Sequence, residues 1–65
     1  MSQEKVSAAR PAALAKAGLT RAKVGRERNA YREDGSVEFS FFSNLGNKRF
    51  LARVMVDPNG TARIL

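Results

Sequence analysis

The chain has no cysteine, no histidine and no tryptophan, and only one tyrosine and two prolines among its 65 residues. Without thiols no disulfide can staple the fold, and without thiols or imidazoles an ordinary zinc site is excluded. The same absences remove the imidazole base and the thiolate nucleophile. Acidic residues are few, six in all, and they are scattered. Glu33 and Asp34 adjoin in a turn-forming segment and read as solvent-facing. Asp57-Pro-Asn-Gly60 has the look of a calcium-loop fragment, but the other oxygen ligands and the closing glutamate are missing. No glycine spacing is followed by the Lys-Ser/Thr of a phosphate loop. A ribonuclease built from Arg, Lys, Glu and Tyr31 is the catalytic class left open. The expectation is a protein with no catalytic residues, no cofactor and no metal. Long apolar runs are also lacking, Val54-Met-Val56 being the longest strongly apolar one. Neither the apolar region of a signal peptide nor a membrane span is therefore expected, and the default location is the cytoplasm.

What the chain does carry is basic charge: twelve Lys and Arg against six Asp and Glu, a net charge of +6. The excess is concentrated between residues 10 and 32, where Arg10, Lys16, Arg21, Lys23, Arg26, Arg28 and Arg32 stand with the single acid Glu27. Such a cluster concentrates polyanions and speeds their encounter, so nucleic acid, an acidic protein surface or anionic lipid fits it. Of these, nucleic acid or an acidic protein surface, not a membrane, is the expected partner. Apolar bulk lies elsewhere. Ten of the apolar residues are alanine, and twelve of the eighteen larger ones fall between Val37 and Leu65. A single core in so short a chain nets only ~3–5 kcal/mol, so support from self-association or a partner is expected.

Residues 1–9 read as a flexible N-terminus and residues 10–65 as one small domain. Pro11 suits a first helical turn, which predicts a helix from about Pro11 to Ala17 with Gly18 as its left-handed C-terminal cap. From Leu19 to Arg32 the pattern forks. Thr20 is a fair N-cap for a second helix over Arg21–Glu27, which is favoured although Gly25 weakens it. The alternative is a strand over Arg26–Arg32 with Arg26, Arg28 and Arg32 on one face, and Asn29–Arg32 is left unassigned. Beyond the Glu33–Ser36 turn the alternation is that of strands. Val37, Phe39 and Phe41 share one face, and Glu38, Ser40 and Phe42 the other. After a turn over Ser43–Asn47, Lys48–Val56 alternates with Phe50, Ala52, Val54 and Val56 against Leu51, Arg53 and Met55. Asp57-Pro-Asn-Gly60 is a strong turn, and Thr61–Leu65 closes as a short strand.

The segment Ala13-Leu-Ala-Lys-Ala-Gly-Leu-Thr-Arg-Ala-Lys-Val-Gly-Arg-Glu-Arg-Asn29 resembles the helix-turn-helix of bacterial repressors, of the lac-repressor type. Ala17-Gly-Leu-Thr20 looks like its turn, and Ala13, Ala17, Leu19 and Val24 match its small or apolar packing positions. Leu14, Gly25 and Glu27 depart from the pattern. The resemblance implies that Thr20 caps a recognition helix whose Arg21, Lys23 and Arg26 face phosphates or base edges.

The resulting expectation is an α+β domain with a short N-terminal helix, alone or as the first helix of a helix-turn-helix, followed by a three-stranded antiparallel meander. Its core is drawn from Val37, Phe39, Phe41, Phe50, Ala52, Val54 and Ile64 beneath Leu14, Ala17 and Leu19. Phenylalanines can stack on bases, but in so small a domain they are assigned to the core first. The strand Lys48-Arg-Phe-Leu-Ala-Arg-Val54 lacks the glycine and second aromatic of the common RNA-recognition strand. Phe42, Leu51, Met55 and Leu65 form a second apolar face, which points to a homodimer interface. The function expected is binding of nucleic acid, duplex DNA first, by a small non-catalytic transcription regulator, with the seven basic residues of the cluster on the nucleic acid. The alternative is an inhibitor or adaptor of the kind phages and plasmids encode, docked on an acidic or nucleic-acid-binding protein surface.

Overall fold

A computed structural model describes residues 3–44 and 49–65, and among these the order is one α-helix, a single 3-10 turn and four strands. Helix α1 spans Gln3–Ala17; strands β1 (Val24–Tyr31), β2 (Val37–Ser43), β3 (Phe50–Val56) and β4 (Ala62–Ile64) form one antiparallel sheet in the order β1-β2-β3-β4. The helix lies on one face of this sheet. Among the described residues no helix is long and apolar enough to cross a membrane.

The helix begins eight residues before the expected start at Pro11, which sits inside it. A proline there removes the N–H that would bond to the Ser7 carbonyl. Both Ser7 and Pro11 are on the exposed side, where water can take up that carbonyl. Alanine-rich neighbours favour the helix on both sides of the break, and Val6, in the stretch expected to be a flexible terminus, is buried in the core. The other end follows expectation. Gly18 has φ +71°, the Leu19 N–H donates to the Leu14 carbonyl at 2.9 Å, and the Gly18 N–H donates to Ala15 at 3.1 Å. This paired bonding is a Schellman cap, and it returns Leu19 to the core.

Residues 21–27, favoured as a second helix, instead form a single 3-10 turn over Arg21–Lys23 and the first half of β1. Thr20 makes no side-chain capping bond there. Strand β1 is a fourth strand beyond the expected three-stranded meander. It takes the alternative reading of a strand over Arg26–Arg32, with Arg26 and Arg28 on one face, but starts at Val24 and ends at Tyr31. It carries Gly25, Asn29 and three consecutive charges at Arg26–Arg28, a composition poor in strand formers, and pairing with apolar β2 overrides it. Gly25 is the extra residue at a register shift between Val24 and Arg26. A Cβ on it would lie 2.8 Å from the Asn44 Cβ and 2.9 Å from the Ser43 carbonyl oxygen, so glycine is needed for the close approach of the two backbones. Two hairpin turns of like design close the ends of β1-β2 and β3-β4. In each, a glycine with φ near +90° donates its N–H to the carbonyl three residues back (Gly35 to Arg32, Gly60 to Asp57), the arrangement of a three-residue hairpin loop. The turn expected over Ser43–Asn47 lies partly outside the described residues.

The core is Val6, Ala13, Leu14, Val37, Phe39, Phe41, Val54 and Val56, with Phe39 and Phe41 stacked at 5.7 Å between ring centroids. Three residues expected in it are outside, and of these Ala52, opposite Phe41, is half-buried. Ile64 is 50% exposed on the short last strand, and Phe50 is 51% exposed. Phe50 leaves because β3 also has a bulge: Phe41 stands opposite Ala52 but Phe42 stands opposite Phe50, so Leu51 is an extra residue. The alternation shifts by one at that point. Leu51 packs against the core and Phe50 joins Phe42 on the other side of the sheet.

Candidate nucleic-acid interface

Directly opposed residues in an antiparallel pair point to the same face, so the register fixes what the uncovered side of the sheet displays. Three rows cross it. The first is Arg26–Phe42–Phe50, the second Arg28–Ser40–Arg53, and the third Ala30–Glu38–Met55–Arg63. Leu65, whose N–H donates to the Arg53 carbonyl at 3.0 Å, extends the second row. The face therefore holds four arginines and one acid around an aromatic pair. Phe42 and Phe50 meet edge to face, 5.8 Å between centroids with planes at 71°. A shallow groove lined by Arg28, Ala30, Glu38, Ser40, Phe42, Phe50 and Arg53 runs beside them.

The acid is largely spoken for. Glu38 Oε1 accepts from Arg32 Nη2 at 2.6 Å and its Oε2 lies 3.3 Å from Arg53 Nε. Arg53 keeps 54% of its side chain exposed, so its guanidinium remains presented to solvent despite this contact. Ion pairs at such exposed sites are worth little, about 0–1 kcal/mol, and an incoming anion can compete for them.

The expected cluster of seven basic residues does not lie on one surface. Arg26 and Arg28 are on the open face. Arg10 is on α1, where its Nε and Nη2 grip Glu27 of β1 at 2.8–3.0 Å, with Asn29 Nδ2 donating to the same carboxylate at 2.8 Å. That pair joins the helix to the middle of the edge strand, where the helix-side positions of β1, Glu27 and Asn29, are polar. Lys16 is exposed in the last turn of α1, and Arg21 and Lys23 are exposed in the 3-10 turn. Arg32, just past β1, is held by Glu38. Of the four residues expected at an apolar interface, Phe42, Met55 and Leu65 share the open face and Leu51 does not.

Arg53, Arg63 and Phe50 belong to this face but lay outside the basic cluster. Alternation places Arg53 beside Met55 on the second face, so that residue was legible as a position if not as a site. Phe50 was not, because only the bulge at Leu51 turns it outward. Among the described residues no three or more acidic side chains gather as a metal site. Comparisons with family models, curated proteins and solved structures returned no match, so the site is read from its own chemistry.

Proposed function

We propose that the chain is a non-catalytic nucleic-acid-binding protein that meets phosphates with the open face of its sheet. One observation carries this reading: Arg26, Arg28, Arg53 and Arg63 stand on one uncovered face around Phe42 and Phe50, with Glu38 the single acid among them. A face-to-face homodimer would set the four arginines of each copy against those of the other, whereas a polyanion satisfies them. Arg21 and Lys23, beside the start of β1, extend the positive potential along one end of the sheet. A role in DNA regulation and a cytoplasmic location follow from this reading as its natural setting.

Affinity for a labelled oligonucleotide, measured by anisotropy across a salt series, tests the proposal. Each phosphate contact releases counterions, giving a log–log slope of about 0.7–0.9 per contact. Arg28→Gln with Arg53→Gln is expected to flatten the slope by nearly two contacts, while Arg10→Gln with Lys16→Gln, an equal loss of charge on the helix side, changes it less. Equal effects from both pairs reduce the site to general basicity. A folded wild type that binds no oligonucleotide at low salt rejects the reading in favour of an acidic protein partner.

A further inference from the structure

We infer, resting on the nucleic-acid reading above, that the open face takes single-stranded DNA, with a base stacked on Phe50. The first reason is what Phe50 forgoes. Burying a phenylalanine side chain would supply a large share of what so small a core can offer. Strict alternation along β3 would have buried this ring; the bulge at Leu51 turns it out, 51% exposed. An outward aromatic at a bulge in an otherwise regular strand is where function overrides local packing. The second reason is which ligand rewards such a ring. In a duplex the bases are already stacked on one another and show only their edges in the grooves, so an aromatic ring meets a base face only by unstacking a step. An unpaired base offers its face without that cost, and aromatic stacking is the general device of single-strand binding surfaces.

The surroundings fit a strand laid across the sheet. Phe42 props Phe50 edge to face at 71°, so the two rings cannot both lie flat under neighbouring bases. Phe50, the more exposed, offers the stacking surface, and Phe42 fixes its position. Arg26 shares their row, and Arg28 and Arg53 stand at the two ends of Ser40 in the next. Phosphates on either side of a stacked base therefore find guanidinium donors. The helix cannot serve as a groove reader for the same ligand, since α1 covers the opposite face of the sheet. Ser40 and the arginine-paired Glu38 are the only side-chain acceptors that the described rows of this face offer a ribose 2′-hydroxyl, so nothing on it selects RNA. DNA is thus expected to bind at least as tightly as RNA.

The test uses the whole chain and three probes: a labelled oligothymidylate of about twelve nucleotides, the same strand annealed to its complement, and the oligouridylate RNA. The single DNA strand is expected to bind at least about tenfold tighter than the duplex. Phe50→Ala is expected to weaken it roughly tenfold with the salt slope unchanged, because stacking is lost and no phosphate contact is. Since the chain has no tryptophan, Phe50→Trp supplies a unique fluorophore at the site. Its emission is expected to be quenched by the single strand and not by the duplex, and this readout stands even if the alanine variant fails to fold. Duplex binding as tight as single-strand binding, or a Phe50→Trp signal that ignores the single strand, overturns the inference while leaving nucleic-acid binding in place. RNA bound more than tenfold tighter overturns the choice of DNA. A folded wild type that binds none of the three probes fails the proposed function itself.

Discussion

Along β2, Phe39 and Phe41 have no exposed surface, while Glu38, Ser40 and Phe42 between and beside them stay half-buried on the other side. The covered face collects nearly all the large apolar groups near α1: Val37, Phe39, Phe41, Val54 and Val56 from the sheet, and Val6, Ala13 and Leu14 from the helix. Ala13 is fully buried, and its small side chain allows the helix to lie close to the strands. The open face, made from alternate residues of the same strands, has arginines at both flanks and an aromatic pair left uncovered. The comparison separates two uses of phenylalanine in one short sequence. Residues of identical chemistry hold the fold together on one side and remain available on the other, and the register decides which does which.

The sharpest way to break this comparison is to truncate one ring from each face. Phe39→Ala removes a fully buried side chain that stacks on Phe41, and losses of about 3–5 kcal/mol are usual for such a change. A domain this small has little more than that to lose, so the variant is expected to be largely unfolded at room temperature by circular dichroism. Phe50→Ala is expected to shift the urea midpoint by less than about 1 kcal/mol equivalent, since half its ring is already in water. Similar losses from both variants would mean that the open face is also part of the core.

The two bulges are where faces are assigned, and the one at Gly25 is open to a smaller test. Gly25→Ala puts a methyl group against the Asn44 Cβ and the Ser43 carbonyl, backbone and near-backbone atoms that cannot rotate away. Overpacking of this kind costs about 1–3 kcal/mol. The neighbouring bonds from Asn44 to the Ala22 and Lys23 carbonyls are expected to weaken with it, loosening the 3-10 turn and the start of β1. Hydrogen exchange at the Asn44 amide reports this directly. Protection equal to wild type would show that β1 reaches its place without the close approach.

Gly18→Val probes the covered face through its cap. No atom lies within 4 Å of the added Cβ, so the penalty is that of a β-branched residue held at φ +71°, about 1–2 kcal/mol. A thermal midpoint lowered by several degrees is the expected result. An unchanged midpoint would mean that the helix can end differently without displacing Leu19.

Local chemistry explains how much of this was legible in the sequence. Gly18 after an alanine-rich run, and Glu33-Asp-Gly-Ser36 and Asp57-Pro-Asn-Gly60 between alternating segments, announced the cap and both hairpin turns because each depends on a residue suited to positive φ. The three apolar strands followed from alternation. Strand β1 was legible only as the alternative to a helix, because its Arg-Glu-Arg-Asn run has no apolar face and Glu27 on its helix side is satisfied by Arg10 and Asn29 instead. That ion pair joins residues 17 apart on different elements, and no local pattern predicts it. Pro11 misled for the opposite reason, being a local signal for a helix start that the surrounding alanines override. At the candidate site, the arginine positions on β1 were visible within the basic cluster. Gathering them with Arg53 and Arg63 required the order of four strands, and placing Phe50 among them required a bulge.

The smallest expected effect concerns the turn that sets the register of β1 against β2. A slip of one residue there would exchange Arg26 and Arg28 for Glu27 and Asn29 on the open face. Asp34 helps to fix it: its Oδ1 accepts the Ser36 N–H at 2.8 Å, and this backbone bond, followed by the Ser36 side chain, holds the Asp34 carboxyl below its ordinary value. A carboxylate whose pKa is lowered by folding contributes stability that is fully present above its unfolded pKa and is lost as pH falls through the folded one. Asp34 is wholly exposed, so the contribution is small and screened by solvent. Asp34→Ala is accordingly expected to be slightly less stable than wild type at neutral pH, and the two curves of urea midpoint against pH should converge in acid. Carbon-detected NMR titration of the Asp34 carboxyl supplies the matching observation, a midpoint below that of an unstructured aspartate. A gap between the two proteins that stays constant into strong acid would place the effect of the substitution in the turn backbone rather than in the charge.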